Sequence, residues 1–343
     1  MTLEIRDLAR HEGEPIREAT LDSGLARVRL LSWGCALRDW RAPVGGGWRA
    51  CTLGLARVED YPAHSPAYGA ICGRVANRIR GARFELEGRE VRLTPNEGAN
   101  LLHGGRGLAR RNWRMEAAGE ALRLSWDSPD GEDGFPGAVA FTVDVRLDGA
   151  RLIYEMRGVP DRPTPINLAQ HAYWNLDGGG EVLDHRLRLD ADRWAEVDAG
   201  QIPTGRLIPV GEGRPDFREP RTLRDADGRG IAVDHAYALS PGRDPARPAA
   251  ELTSGAGDLR LRLWTDQPSV QVYDAPGLSL AVPGLDGTPA GPFAGLCLEA
   301  QNFPDAPNRP EFPSPLATPE RPYVQRLEIE IREIPAAERA PRT

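Results

Sequence analysis

The chain has 343 residues, a formal net charge of -7 and a pI near 5.5, a length that suits one large domain or two ordinary ones. Acidic and basic residues are interspersed rather than blocked, which argues against nucleic acid or an anionic membrane as the main partner. All 43 basic residues are Arg, and the absence of Lys excludes Schiff-base chemistry, pyridoxal phosphate attachment and the lysine-dependent phosphate loop.

The first residues, MTLEIRDLARHEGEP, lack the apolar core of a signal peptide, and no later run approaches a membrane span. Four cysteines, Cys35, Cys51, Cys72 and Cys297, are scattered without CxxC pairing, so a soluble cytoplasmic protein with reduced thiols is expected. Residues 54–61 offer the best short helix, of one or two turns. Strand alternation then recurs at Phe84 and Leu86, at Leu122, Leu124 and Trp126, and at Phe141, Val143, Val145 and Leu147. It returns at Leu259, Leu261 and Leu263 and at Leu327, Ile329 and Ile331. Apolar residues every second position describe strands with one buried and one wet face.

Turn pairs such as Glu87-Gly88, Asp148-Gly149, Asp177-Gly178, Asp227-Gly228 and Asp286-Gly287 separate these runs. Residues 125–137, 209–230 and 240–250 read as polar surface loops, the second as an excursion from the core. No repeat and no sharp change of composition divides the chain, so the expected architecture is one all-β domain over residues 1–343. Its antiparallel strands should form a large sandwich of two packed sheets.

Glu299 follows the apolar alternation of residues 293–298 and reads as the exit of a buried strand, opening into the rigid loop Asn302, Pro304, Asp305, Pro307 and Asn308. A carboxylate there is costly without a task. His171, in the run HAYWNL, offers an imidazole on the same strand face as Tyr173 and Asn175. His103, in NEGANLLHGG, has Gly104 and Gly105 beside it, which would let a ligand approach closely. For both histidines the residues leave two readings open, a satisfied core or turn histidine and a catalytic one. His11, His64 and His185 are expected at solvated or edge positions. Asn77 and Arg78 could bind hydroxyls or a carboxylate, or simply be surface groups; Asp234, His235 and Gln271 carry weaker signals. His103, His171 and Glu299 could in principle hold a metal, but no HxH or HExxH pair supports it, and proton transfer is the better reading. No nucleophile elbow and no nucleotide fingerprint is present.

Taken in order, GRVANRI (73–79), NEGANLLHGG (96–105), DGEDGFPG (130–137), HAYWNL (171–176), IPTG (202–205), VDHAY (233–237), LWTDQPSVQVY (263–273) and LEAQNFPDAPN (298–308) resemble the aldose 1-epimerase (galactose mutarotase) family. The resemblance spans nearly the whole chain. It implies a galactose mutarotase-like antiparallel supersandwich that interconverts the α and β anomers of free aldoses such as galactose and glucose, with no metal or organic cofactor. It also implies Glu299 as general base, His171 as general acid, and Asn77, Arg78, His103, Tyr173, Asp234 and Gln271 as substrate-binding residues. The implied partner is a small aldose, with no nucleic acid or membrane, and the protein a monomer or homodimer. The sequence departs from the family pattern at 274–276 and at Ala236, which bears on sugar preference. For the acid and base to work together, the carboxylate should be ionised and the imidazole charged at once. Three rivals are a phosphorylated-hexose epimerase, a carbohydrate-binding module, and a glycosidase, which would need two carboxylates.

Overall fold

The computed structural model describes residues 1–65 and 67–339. Antiparallel strands dominate, as the period-two runs predict. A nine-stranded sheet takes the strands in the order Arg114–Ala118, Ala121–Ser128, Val139–Asp148, Arg151–Pro160, Tyr323–Glu333, Leu259–Thr265, Ala250–Thr253, Arg186–Leu189 and Arg221–Thr222. A six-stranded sheet runs Tyr173–Trp174, Leu296–Gln301, Ser269–Tyr273, Asp234–Leu239, Ala191–Val197 and Pro203–Pro209. The first fifty residues add a five-stranded sheet, so the sandwich has three large sheets where two were expected. One apolar cluster joins them: Val28 and Trp40 of the first sheet, Leu124, Val143, Leu261 and Ile329 of the nine-stranded one, and Val270 and Leu298 of the six-stranded one are all buried within it.

The outer face of the nine-stranded sheet carries the charged half of each alternating strand. Glu330, for example, lies within 4.0 Å of Arg151, Arg262 and Arg332. The long aliphatic stems of Arg cover the sheet while the guanidiniums pair across strands.

Several expectations are corrected. The helical signal at 54–61 yields a 3₁₀ turn at Val58–Asp60 and a single α turn at Tyr61–His64, displaced because Pro62 suits a first helical turn. Residues 125–128 continue a strand instead of opening a loop, because their cross-strand partners at 139–142 hold them in the ladder. The stretch 209–230 is not an excursion: Phe217 and Leu223 are fully buried and belong to the core. His185 is also fully buried, with Nε2 accepting the Leu176 N–H at 2.9 Å. Period two explains it, since residues 185, 187 and 189 share the core-facing side of HRLRL. His64 is exposed and His11 half-buried, its ring edge-on to Trp33 at 4.7 Å.

Candidate active site

Glu299 lies within the strand Leu296–Gln301, not at its exit, and every residue of that strand is buried. Leu296, Leu298 and Ala300 point into the apolar core, so Cys297, Glu299 and Gln301 take the opposite face. Cross-strand register then assembles the site. Gln271 stands opposite Glu299, while Cys297 is flanked by Tyr273 on one side and Tyr173 on the other. Asp234 pairs with Tyr273 one strand further on.

His171 is brought to this face by a clamp on its backbone: its N–H donates to the Ala70 carbonyl and its carbonyl accepts from Gly69, both at 2.9 Å. Its ring stacks on Tyr173 with centroids 5.1 Å apart and planes 25° apart. Nε2 lies 3.6 Å from Glu299 Oε1, and Nδ1 lies 3.5 Å from the Cys297 sulfur. Asn175 does not join the pair. Its amide is spent on the Gly180 and Ala294 carbonyls, so only His171 and Tyr173 of the expected trio line the site.

The site is a cleft of about 420 Å³ whose walls include Asn77, Arg78, His103, His171, Tyr173, Asp234 and Glu299. Gln271 is set one layer back, 2 % exposed, donating to Asp234 Oδ1 at 2.5 Å. Every residue singled out by the resemblance is thus in or directly behind one cleft. Three larger clefts, of about 900, 820 and 540 Å³, contain none of these residues.

Further residues complete the walls. Glu97 holds Arg78 through two hydrogen bonds, of 2.7 and 2.9 Å, leaving the third guanidinium nitrogen 3.7 Å from Asp234. Tyr273 and Arg110 also line the cleft. Tyr273 was legible, because it shares a strand face with Gln271 two residues away; Glu97 carried no signal beyond its motif, and Arg110 only that of the Arg-rich stretch 106–111, which could serve a phosphate in the phosphorylated-hexose reading.

Gly104 serves packing rather than ligand access, while Gly105 also lines the cleft. A Cβ on Gly104 would sit 2.2 Å from the Gly73 carbonyl oxygen, and one on Gly105 would sit 2.9 Å from Asp133 Oδ1. Gly104 lets this loop press against 73–74. That contact also helps hold His103 against Asn77: the His103 N–H donates to the Asn77 carbonyl at 3.0 Å, and the Asn77 N–H donates to His103 Nδ1 at 3.1 Å.

The second bond fixes a tautomer. With Nδ1 accepting, the neutral His103 ring carries its hydrogen on Nε2. His103, His171 and Glu299 place donor atoms within 4.8 Å of one another. A metal ion, however, would need either the His103 lone pair that Asn77 already uses or the nitrogen that bears the hydrogen. The set is therefore built for proton donors and acceptors more than for a cation.

Burial governs the titrations. It pushes Glu299 well above the usual carboxylate range, with Asp234 adding and Arg78 opposing. It pushes His171 down to about 4, against a hydrogen bond to its own backbone. Burial, then His171 and Arg78, likewise keeps His103 neutral. Desolvation therefore works against the expected state in which Glu299 and His171 are both charged, because it penalises each ion. The neutral pair and the charged pair nevertheless hold the same single proton, on the carboxyl group in one and on the imidazole in the other.

An antiparallel sandwich in whose polar cleft the buried Glu299 carboxyl group faces the His171 imidazole can serve an acid–base isomerase. Residues 17–330 match the aldose 1-epimerase family. Human galactose mutarotase is 36 % identical over 319 residues, covering 91 % of this chain and 92 % of its own. The aldose 1-epimerase of Escherichia coli K12 is 36 % identical over 316 residues, covering 89 % and 91 %. Among solved structures, an aldose epimerase homologue from C. elegans superposes with a TM-score of 0.85 at 27 % identity, covering 97 % of this chain and all of the other. Galactose 1-epimerase from Lactobacillus acidophilus gives 0.82 at 25 %, covering 97 % and 99 %. The chain belongs to the aldose 1-epimerase family, and it is an epimerase.

Proposed function

We propose that the protein is a mutarotase, interconverting the α and β anomers of free aldoses such as galactose and glucose. The observation that carries this reading is the approach of His171 Nε2 to Glu299 Oε1, 3.6 Å, in a cleft walled by polar and aromatic side chains. Glu299 takes the proton of the anomeric hydroxyl while His171, as imidazolium, gives one to the ring oxygen. The C1–O5 bond breaks and the open aldehyde forms. Rotation about C1–C2 turns the other carbonyl face to O5, and reclosure returns both protons.

The proton count balances at each stage. Before ring opening the pair is carboxylate and imidazolium; afterwards it is carboxylic acid and neutral imidazole. The second state is the one that burial favours in the free protein, so the pair is poised to receive the open aldehyde and return it as a ring. Entry of a polar sugar, replacing lost solvation, brings the charged state within reach.

Asn77, Arg78, His103, Tyr173 and Asp234 bind the sugar in this reading, with Gln271 steadying Asp234. The Nε2–H of His103 is a constant donor, and Glu97 leaves one guanidinium edge of Arg78 free for hydroxyls. We also read the chain as one domain, supported by the apolar cluster common to its three large sheets. Four buried free thiols support action in the reducing cytoplasm, in hexose metabolism. No helix among the described residues is long and apolar enough to cross a membrane.

Polarimetry of freshly dissolved α-D-glucose and α-D-galactose tests the reading. The protein should accelerate the approach to equilibrium rotation, and His171→Asn should abolish most of that acceleration. A protein that binds either sugar without accelerating mutarotation would instead be a carbohydrate-binding module.

A further inference from the structure

The two histidines of the cleft differ in what holds them. His103 is locked by a backbone amide that donates to Nδ1. His171 has no such amide; its Nδ1 meets the sulfur of Cys297 at 3.5 Å. That sulfur is fully buried and is placed by register, since Cys297 is the direct cross-strand partner of Tyr173, on which the His171 ring stacks. The groups facing His171 are Glu299 on Nε2, Cys297 on Nδ1, its own backbone through a hydrogen bond, Tyr173 on one ring face and the edge of His103 at 5.2 Å.

We propose that Cys297 is a positioning residue that accepts the Nδ1–H of His171 and so makes Nε2 the one nitrogen that exchanges protons with the sugar. The inference rests on the mutarotase reading for its catalytic consequence, though not for the tautomer itself. In the acid form of His171 both nitrogens carry hydrogen; after Nε2 has given its proton to the ring oxygen, Nδ1 must keep its own. A donor at Nδ1, such as the amide that holds His103, would favour the opposite tautomer and leave Nε2 unable to take the proton back. A thiol sulfur is a weak acceptor that satisfies Nδ1–H in both states of the cycle. Burial, reinforced by Glu299, keeps that thiol protonated, so no thiolate competes for the proton. The carboxyl group of Glu299, when protonated, can donate to Nε2 and favours the same tautomer from the other side.

Imidazole ¹⁵N spectra of the free protein, with the His171 ring assigned by loss of its signals in His171→Asn, test the tautomer directly. The expected result is Nδ1–H for His171 and Nε2–H for His103; Nε2–H at His171 overturns the proposal. Cys297→Ser keeps an acceptor and should retain kcat within about threefold. Cys297→Ala should lose on the order of tenfold in kcat with KM nearly unchanged. It should also move the alkaline limb of the kcat profile to lower pH, since an accepting partner stabilises the imidazolium. A Cys297→Ala enzyme with wild-type kcat and an unmoved limb overturns it as well. If that variant fails to fold, the wild-type spectrum and the Cys297→Ser kinetics still decide. A wild-type protein without mutarotase activity defeats the functional reading while leaving the tautomer measurement intact.

Discussion

Replacing Glu299 by Gln keeps the volume and polarity of a side chain that is 2 % exposed and removes only its ability to accept and return a proton. Its Oε1 is 3.6 Å from His171 Nε2, and its Oε2 is buried without a hydrogen-bond partner. A carboxamide in the same place can bind the sugar but cannot take its proton. General-base terms of this kind contribute about 10²- to 10⁴-fold, equivalent to roughly 3–5 kcal/mol of barrier. Polarimetric kcat for α-D-galactose should fall by that factor, with KM changed little. Folding should not suffer. Burial raises the Glu299 pKa, so the native state at neutral pH gives up the ionisation that the unfolded chain enjoys, a cost the amide does not carry. Thermal unfolding at pH 7 should therefore show Glu299→Gln at least as stable as the wild type. A variant that keeps kcat within about threefold would refute the assignment of the base. One that loses activity only because it melts earlier would refute the account of the buried carboxyl.

Three more outcomes follow from the same geometry. His171, His185 and His235 are each 5 % exposed or less and are held near pKa 4, chiefly by burial, against 6.5 when unperturbed. Neutral burial stabilises the fold fully above pH 6.5 and is lost as pH falls through about 4, at roughly 3 kcal/mol for each ring; a melting temperature that stays level between pH 6.5 and 4 would contradict this. Asp274 is fully buried, and burial lifts its pKa to about 7 against hydrogen bonds from the backbone at Asp274, Ala232 and Val233. The group favours the fold most at acid pH, and that contribution is lost as pH rises through about 7. Asp274→Asn should accordingly raise the melting temperature at pH 8, by a few kcal/mol of stability, but not at pH 4; an equal gain at both pH values would count against it. Gly104→Ala combines a φ of +75° with a Cβ 2.2 Å from the Gly73 carbonyl oxygen, and should cost at least about 2 kcal/mol, read by urea unfolding. Near wild-type stability would mean that the loop has room to move.

Much of this molecule was written locally. Alternation of apolar residues fixes strand type and facing without reference to the rest of the chain, which is why the long runs at 139–148, 259–265 and 323–333 were read correctly. The same rule, applied to HRLRL, would have put His185 in the core. Residues 209–230 misled because two buried side chains, Phe217 and Leu223, sit among charged neighbours that solvate the turns between them. The ordered motifs identified the family and nominated Glu299, His171 and their partners, but a motif names a residue without saying what it touches.

Register and burial decided the rest. The sequence alone could not show that Cys297 stands opposite Tyr173 with its sulfur on the His171 ring, since those residues are more than a hundred positions apart. It could not show that Glu97 occupies two nitrogens of Arg78, or that Gly104 is spaced for Gly73 rather than for a ligand. Nor could it give the charge state of the acid and base: residue type sets the ordinary pKa, and only the surrounding fold supplies the desolvation that draws both toward their neutral forms.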